Sequence, residues 1–231
     1  MSNKNKKLNS SNQIVSRERV ASHGEVYTNA REVNAMLDLI PENACTHTAR
    51  YLEPSCGTGN FLVEILARKL VALDKFYLDG KALVNQTDYE ANLVAVTGSL
   101  YGIELLADNV AVCRDRLLNQ LWKHYVHNFP ESFEGKLLDV LRFVLGKNIV
   151  HGDALAFTRQ DAGFAYEAIV FCEWTLLPDY RISRCDFSFK GFAIETKKKG
   201  SSNKNKEQHH EVSPTLINSY SPVFYLDLIY F

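Results

Sequence analysis

The chain has 231 residues, 46% hydrophobic and 11% aromatic, which suits one domain with a sizeable single core. Its 26 basic and 27 acidic residues leave a formal charge of −1, so no global field draws it to nucleic acid and any such surface must be local. Five cysteines at 45, 56, 113, 172 and 185 form no C-x-x-C pair, and no signal-peptide pattern or long apolar span is visible. These features argue against a disulfide scaffold and a membrane span, and predict a reduced, cytoplasmic protein. His209-His210 and the Cys45/His47 pair lack the companion ligands a zinc site needs, so no metal is expected.

In chain order, residues 1–13 are polar, basic and nearly free of apolar groups. They cannot offset their ordering entropy and read as a mobile tail before a single domain over 14–231. Arg19-Val-Ala-Ser-His-Gly-Glu-Val-Tyr-Thr28 then leads into a helical pattern with Val33, Met36, Leu37 and Ile40. The Thr28 hydroxyl is a candidate cap for that helix. Residues 50–53 read as a buried strand, followed by a tight turn with Gly57 and Gly59 and an amphipathic helix opening near Asn60. Leu62, Ile65, Leu66, Leu70 and Leu73 mark the apolar face of that helix.

A strand over 100–105 comes next, then a helix carrying Val110, Cys113, Leu117, Leu118 and Leu121, and a third helix over about 136–145. Residues 148–153 and 168–172 read as two further short strands. Residues 185–192 alternate like a half-buried strand, and 223–231 close the chain as another. Between them the basic run Lys-Lys-Lys-Gly-Ser-Ser-Asn-Lys-Asn-Lys at 197–206 reads as an exposed loop, either merely solvated or touching phosphate. Strand–helix alternation followed by terminal β segments predicts an α/β, doubly wound, mainly parallel sheet with helices on both faces and terminal antiparallel strands. Ligands in such sheets sit beyond the carboxyl ends of the strands, where the Gly-rich turn lies.

The turn has two glycines spaced G-x-G, with neither the third glycine of a dinucleotide fingerprint nor a following Gly-Lys-Ser/Thr. Glycines there allow close backbone approach to a ligand, and the helix N-terminus beyond them favours an electronegative guest. The plain alternative is an ordinary strand-to-helix turn. Glu53-Pro-Ser-Cys-Gly-Thr-Gly-Asn-Phe-Leu resembles motif I of the S-adenosylmethionine-dependent methyltransferases, in the form typical of DNA adenine-N6 methyltransferases. The Tyr27-Thr28 segment resembles motif X of the same family, with Asn29 where the family has proline. The order of motifs resembles the γ arrangement of amino-methyltransferases, and the resemblance spans roughly residues 17–172.

The resemblance implies a Rossmann-like methyltransferase fold binding S-adenosyl-L-methionine through Tyr27, Thr28, Glu53, Pro54, Ser55, Cys56, Gly57, Gly59 and Asn60. Glu104, ending the second strand, would accept hydrogen bonds from the ribose hydroxyls, although a strand-end surface glutamate reads the same. Asp153 would accept from the adenine amine between the apolar walls Leu105 and Leu155, although Gly-Asp-Ala is also a plain turn.

Adenine-N6 transfer needs acceptors for the exocyclic amine and an aromatic to stack on a flipped-out base, which the family supplies with Asn/Asp/Ser-Pro-Pro-Tyr/Phe. This chain reads Phe171-Cys172-Glu173-Trp174-Thr175 at the expected place, and its six prolines never form a pair. Glu173 and Trp174 are the candidates to substitute, against a plain role as strand end and core packing. Nor is there a further domain or a helix-turn-helix, zinc or RNA-binding signature to read sequence. DNA binding by the chain alone is therefore expected to be weak and non-specific, with specificity supplied by a partner subunit. The resemblance implies a DNA adenine-N6 methyltransferase-like subunit of a restriction–modification system, catalytically impaired by the missing motif. A non-catalytic cofactor-binding or regulatory subunit, and a methyltransferase acting on a non-DNA substrate, are the alternatives.

Overall fold

Three short strands hold the parallel part of the fold in the order β1-β2-β3. The computed structural model describes residues 18–19, 21, 28–41, 46–77, 85–131, 135–160, 166–188 and 214–231. Strand β1 (Tyr51–Glu53) pairs in parallel with β2 (Leu100–Glu104), which pairs in parallel with β3 (Ile149–His151). Helix α1 (Ala30–Leu37) precedes β1. Helices α2 (Asn60–Tyr77) and α3 (Gln86–Gly98) lie between β1 and β2, and α4 (Ala107–Asn128) and α5 (Gly135–Asn148) between β2 and β3.

Both crossovers step along the sheet in the same direction, and right-handed crossovers that do so deliver their helices to one face. The packing has that form. Leu100 and Ile149 join a large core to which all five helices contribute buried side chains. Their neighbours in the strands, Tyr101, Ile103 and Val150, alternate to the other face. There they meet Phe157, Ile169 and Phe171, and no helix adds a buried residue to that second cluster. The described residues thus form a mixed α/β fold whose parallel sheet carries its helices on one face.

The helix boundaries follow the apolar periodicity. All five residues read as the face of α2 are buried, as are Val110, Cys113, Leu117 and Leu121 on α4. Helix α3 has no amphipathic signal because it is buried almost all round, from Tyr89 to Gly98. Its Glu90, 4% exposed, accepts from Gln86 Nε2 at 2.8 Å and from the hydroxyls of Tyr125 and Tyr225.

After β3 the described strands pair antiparallel. Strands β4 (Thr158–Gln160) and β5 (Tyr166–Ala168) form an antiparallel pair. Strand β6 (Val170–Leu176) pairs antiparallel with β7 (Arg181–Ser188), and β7 pairs antiparallel with β8 (Thr215–Phe224). The expected strand at 185–192 is therefore the second half of β7, and residues 189–192 lie outside the described ones. The closing strand expected at 223–231 is corrected: β8 ends at Phe224 and a 3₁₀ helix spans Tyr225–Tyr230. Tyr225 and Leu228, three residues apart, are each 2% exposed, a spacing that a turn of helix buries on one side and a strand does not. The tail at 1–13, Tyr27 and the basic run at 197–206 also lie outside the described residues. No helix among the described residues is long and apolar enough to cross a membrane.

Candidate cofactor-binding site

The turn after β1 is shaped by its two glycines, at φ +52° (Gly57) and +89° (Gly59). L-residues rarely adopt such values. Cys56 anchors the start of the turn by donating its N–H to Ile103 O at 2.9 Å, and Gly59 N–H closes it on Cys56 O at 2.7 Å. Gly59 has a second constraint, since a Cβ built on it would stand 2.7 Å from Cys113 Sγ on α4. The sequence reading assigned this glycine to ligand approach; packing against α4 requires it as well.

Glu104, at the carboxyl end of β2, is the centre of the site. It is 6% exposed, and its Oε2 accepts from Gly57 N–H at 2.8 Å. Its Oε1 accepts from Leu106 N–H at 2.9 Å and from Asn109 Nδ2 at 3.5 Å. A carboxylate offers about four acceptor positions, so three donors leave room for one more. Its backbone carbonyl takes the Gly152 N–H at 2.9 Å, which joins the neighbouring strand end to the same place. Glu104 is thus a connected group, not a surface strand end.

Asn60 brings the first segment to the turn. Its Nδ2 donates to Thr28 O at 3.0 Å, while its Oδ1 accepts from Arg116 at 2.8 Å. Arg116 also donates to Thr58 O at 2.6 Å. This arginine escaped the sequence reading, because it lies three residues beyond Cys113 on the same helix with no local motif to mark it. The expectation that Thr28 caps α1 is corrected: Asn29 Oδ1 accepts from Arg31 N–H at 3.0 Å and Glu32 N–H at 3.2 Å. The cap therefore stands one residue later than expected.

The remaining expected residues lie at or just beyond the ends of β1, β2 and β3. Glu53 is half-buried, accepts from Ser55 N–H at 3.2 Å, and has its carboxyl pushed up by burial. Pro54 and Ser55 are exposed. Asp153 Oδ1 accepts from Leu155 N–H at 2.8 Å and Ala156 N–H at 3.3 Å, so the carboxylate builds its own turn. Leu105 and Leu155 are 55% and 81% exposed just beyond the ends of adjacent strands.

Glu173 and Trp174 are not brought to this turn. Glu173 Oε1 pairs at 2.5 Å with Arg50, the residue before β1, whereas the glycine turn follows the other end of that strand. With Leu52, Tyr101 and Phe171, this ion pair lines a separate cavity of about 220 Å³. Trp174 is 7% exposed and packs on Gly98, where an added Cβ would stand 2.7 Å from its Cδ1. Successive strand residues point to opposite faces, so the two cannot act together on one base. The stacking role for Trp174 is corrected: its ring is in the helical core, and its indole N–H is buried without a partner there. Comparison with protein-family models, curated proteins and solved structures finds no match for this chain.

Proposed function

We propose that the chain binds S-adenosyl-L-methionine at the Gly57–Asn60 turn, as a cofactor-holding subunit of the DNA adenine-N6 methyltransferase type. The observation that carries this reading is the Gly57 N–H bond to the buried Glu104 carboxylate. It joins a positive-φ turn to an acidic strand end, the pairing a nucleoside with vicinal hydroxyls requires. Glu104 accepts a ribose hydroxyl, Leu105 and Leu155 flank the adenine, and the Thr28–Asn60 contact lies toward the methionine end. The fold that goes with this reading is the doubly wound methyltransferase sheet, supported by the β1-β2-β3 parallel order with two-helix crossovers.

A specific observation favours the cofactor-holding form over an active transferase. Glu173 and Trp174 face opposite sides of β6, and the Glu173 contact is at the far end of β1 from the turn. No other residue of the motif order supplies amine acceptors, and losing one preorganised group of this kind lowers rates by about 10²–10³. The base, its sequence and the missing acceptors then belong to DNA and a partner chain, outside this polypeptide. The four cysteines among the described residues are unpaired, which fits a reduced, cytoplasmic setting.

The test is calorimetric titration with S-adenosyl-L-methionine. Glu104→Gln removes a charge-assisted hydrogen bond of about 1.5–3 kcal/mol, so affinity should fall about 10–150-fold. Gly57→Val should weaken binding too, with circular dichroism used to confirm that each variant is folded. Unchanged affinity in both folded variants would overturn the site. Robust N6-methyladenine formation by the isolated chain would overturn the cofactor-holding form.

A further inference from the structure

Among the described arginines that are buried or half-buried, one lacks an anion and keeps an open edge. Arg19, Arg68 and Arg184 each pair with a carboxylate, Asp108 at 2.6 Å, Asp38 at 2.8 Å and Asp186 at 2.7 Å. Arg114 occupies its Nε and Nη2 with the carbonyls of Ile149 and Gly146. Arg116 does neither. Its bonds to Thr58 O at 2.6 Å, Thr58 Oγ1 at 3.2 Å and Asn60 Oδ1 at 2.8 Å all leave from Nη1. Its Nε and Nη2 donate to nothing among the described residues.

Helix α4 explains why no counter-ion is built in. The residues three and four positions from Arg116 share its side of the helix, and they are Val112, Cys113, Asn119 and Gln120. None is acidic. Asp115 is the neighbour in sequence, and adjacent helix residues do not face each other. The fold thus brings a half-buried guanidinium to the glycine turn without an anion to meet it, and charges withdrawn from water are normally paired.

The open edge is the Nε–Nη2 fork, whose two parallel donors match the two oxygens of a carboxylate. The bonds from Nη1 already hold the guanidinium against the turn, which lowers the ordering cost when a ligand arrives. The same bonds fix the Asn60 amide, whose Nδ2 donates to Thr28 O at 3.0 Å.

We propose that the Nε–Nη2 edge of Arg116 is a carboxylate-binding site, and that it takes the amino-acid carboxylate of S-adenosyl-L-methionine. The identity of this ligand rests on the function proposed above; the site adds the recognition of its other end. Glu104 meets Gly57, whereas Arg116 meets Thr58 and Asn60, so the two charged side chains attend successive residues of one turn. The carboxylate is the cofactor's one anionic group. Glu104 repels it and Arg116 attracts it, which fixes the direction of binding: ribose at Glu104, amino acid at Arg116.

Calorimetry on the full chain compares S-adenosyl-L-homocysteine with 5′-methylthioadenosine, a thioether of the same nucleoside that lacks the amino acid. The ratio of the two affinities is read, because damage to the turn weakens both ligands and cancels. In Arg116→Gln the ratio should fall about 10–150-fold, the loss of charge-assisted hydrogen bonds. Arg116→Lys keeps a charge near Thr58 and Asn60 but not the fork, and should fall part of the way. Circular dichroism confirms that each variant is folded. An unchanged ratio in both overturns the carboxylate site and leaves the function proposed above standing. L-Methionine is also titrated into isotope-labelled wild type, following the arginine Nε–H resonance that Arg116→Lys lacks, which should shift and saturate. Failure of the wild type to bind either nucleoside overturns the functional reading. A resonance that then stays still overturns the Arg116 site as well, and one that moves upholds it as a carboxylate site.

Discussion

Gly59→Ala tests the turn from two directions at once. At φ +89° an alanine sits in sparsely populated backbone space, a strain of about 1–3 kcal/mol. Its Cβ would also stand 2.7 Å from Cys113 Sγ, but 3.5 Å from Cys113 Cβ. Cys113 is 0% exposed, so the sulfur has no solvent to turn into, and overpacking of this kind costs about 1–3 kcal/mol. The sum, roughly 2–6 kcal/mol, is a large part of the 5–15 kcal/mol that holds a typical domain. At about 2–4 °C per kcal/mol for a domain of this size, the midpoint should fall by about 4–24 °C. Cys113→Ala removes the clashing atom and leaves an ordinary contact at 3.5 Å. The double variant should therefore recover the steric part and keep the backbone part, a coupling of about 1–3 kcal/mol in urea unfolding. Additivity within about 0.5 kcal/mol would show that the turn and α4 do not meet as described, and the cofactor site built on that turn would lose its basis.

Trp174→Ala empties a core position under α3 and should cost about 3–5 kcal/mol of stability, read by urea unfolding, with cofactor affinity per folded molecule unchanged. A loss of cofactor affinity in the folded fraction would restore Trp174 to the site. Asp186 is 5% exposed; burial pulls its carboxyl up, but the Arg184 guanidinium, the Cys172 thiol and the Tyr220 hydroxyl outweigh this and hold it below the ordinary carboxylate range. Its contribution is therefore present above the unfolded carboxylate value and lost as pH falls through the lower folded one, and Asp186→Asn should flatten that acid limb while costing about 3–5 kcal/mol near neutrality. An unchanged acid limb in the variant would refute the assignment. With a net charge of −1, the isolated chain should bind duplex DNA weakly and without sequence preference, fading steeply between low and physiological salt in fluorescence anisotropy. Tight, site-selective binding would contradict the need for a partner.

What the sequence made legible was local. The β1–turn–α2 unit is written in consecutive residues, so its strand end, glycines and helix face could be read without knowing any neighbour. Glu104 was legible as a strand end, but its bonds to Gly57 and Leu106 were not, because they depend on the β1-β2 register. Helix α3 escaped because burial on all sides erases the 3.6-residue period. Asn29 escaped as the cap because Thr28 beside it has an equally suitable oxygen. The opposed directions of Glu173 and Trp174 were available from the two-residue period of any strand. Their distance from the turn was not, since it follows from the Arg50 pairing across 123 positions.

The direction of β6 is where the fold and the chemistry separate. In a doubly wound sheet, a first half ordered like β1, β2 and β3 is matched by a second half that starts at the other edge of its first strand and brings its helices to the second face. Strand ends on both sides of β1 would then converge over one crevice, with cofactor on the first half and substrate on the second. In this chain β6 turns into an antiparallel meander with β7 and β8 instead. Leu52 of β1 is left 46% exposed beside the Arg50–Glu173 cavity. The half that holds the glycine turn, Glu104 and Asp153 is built from β1, β2 and β3 alone, so it does not depend on where β6 goes. Amine acceptors placed after a fourth parallel strand would depend on it entirely. On the function proposed above, cofactor binding is therefore separable from methyl transfer on topology, before any missing proline pair is considered. A partner that restored transfer would have to bring its acceptors to the carboxyl end of β1, next to Gly57, and not to Glu173.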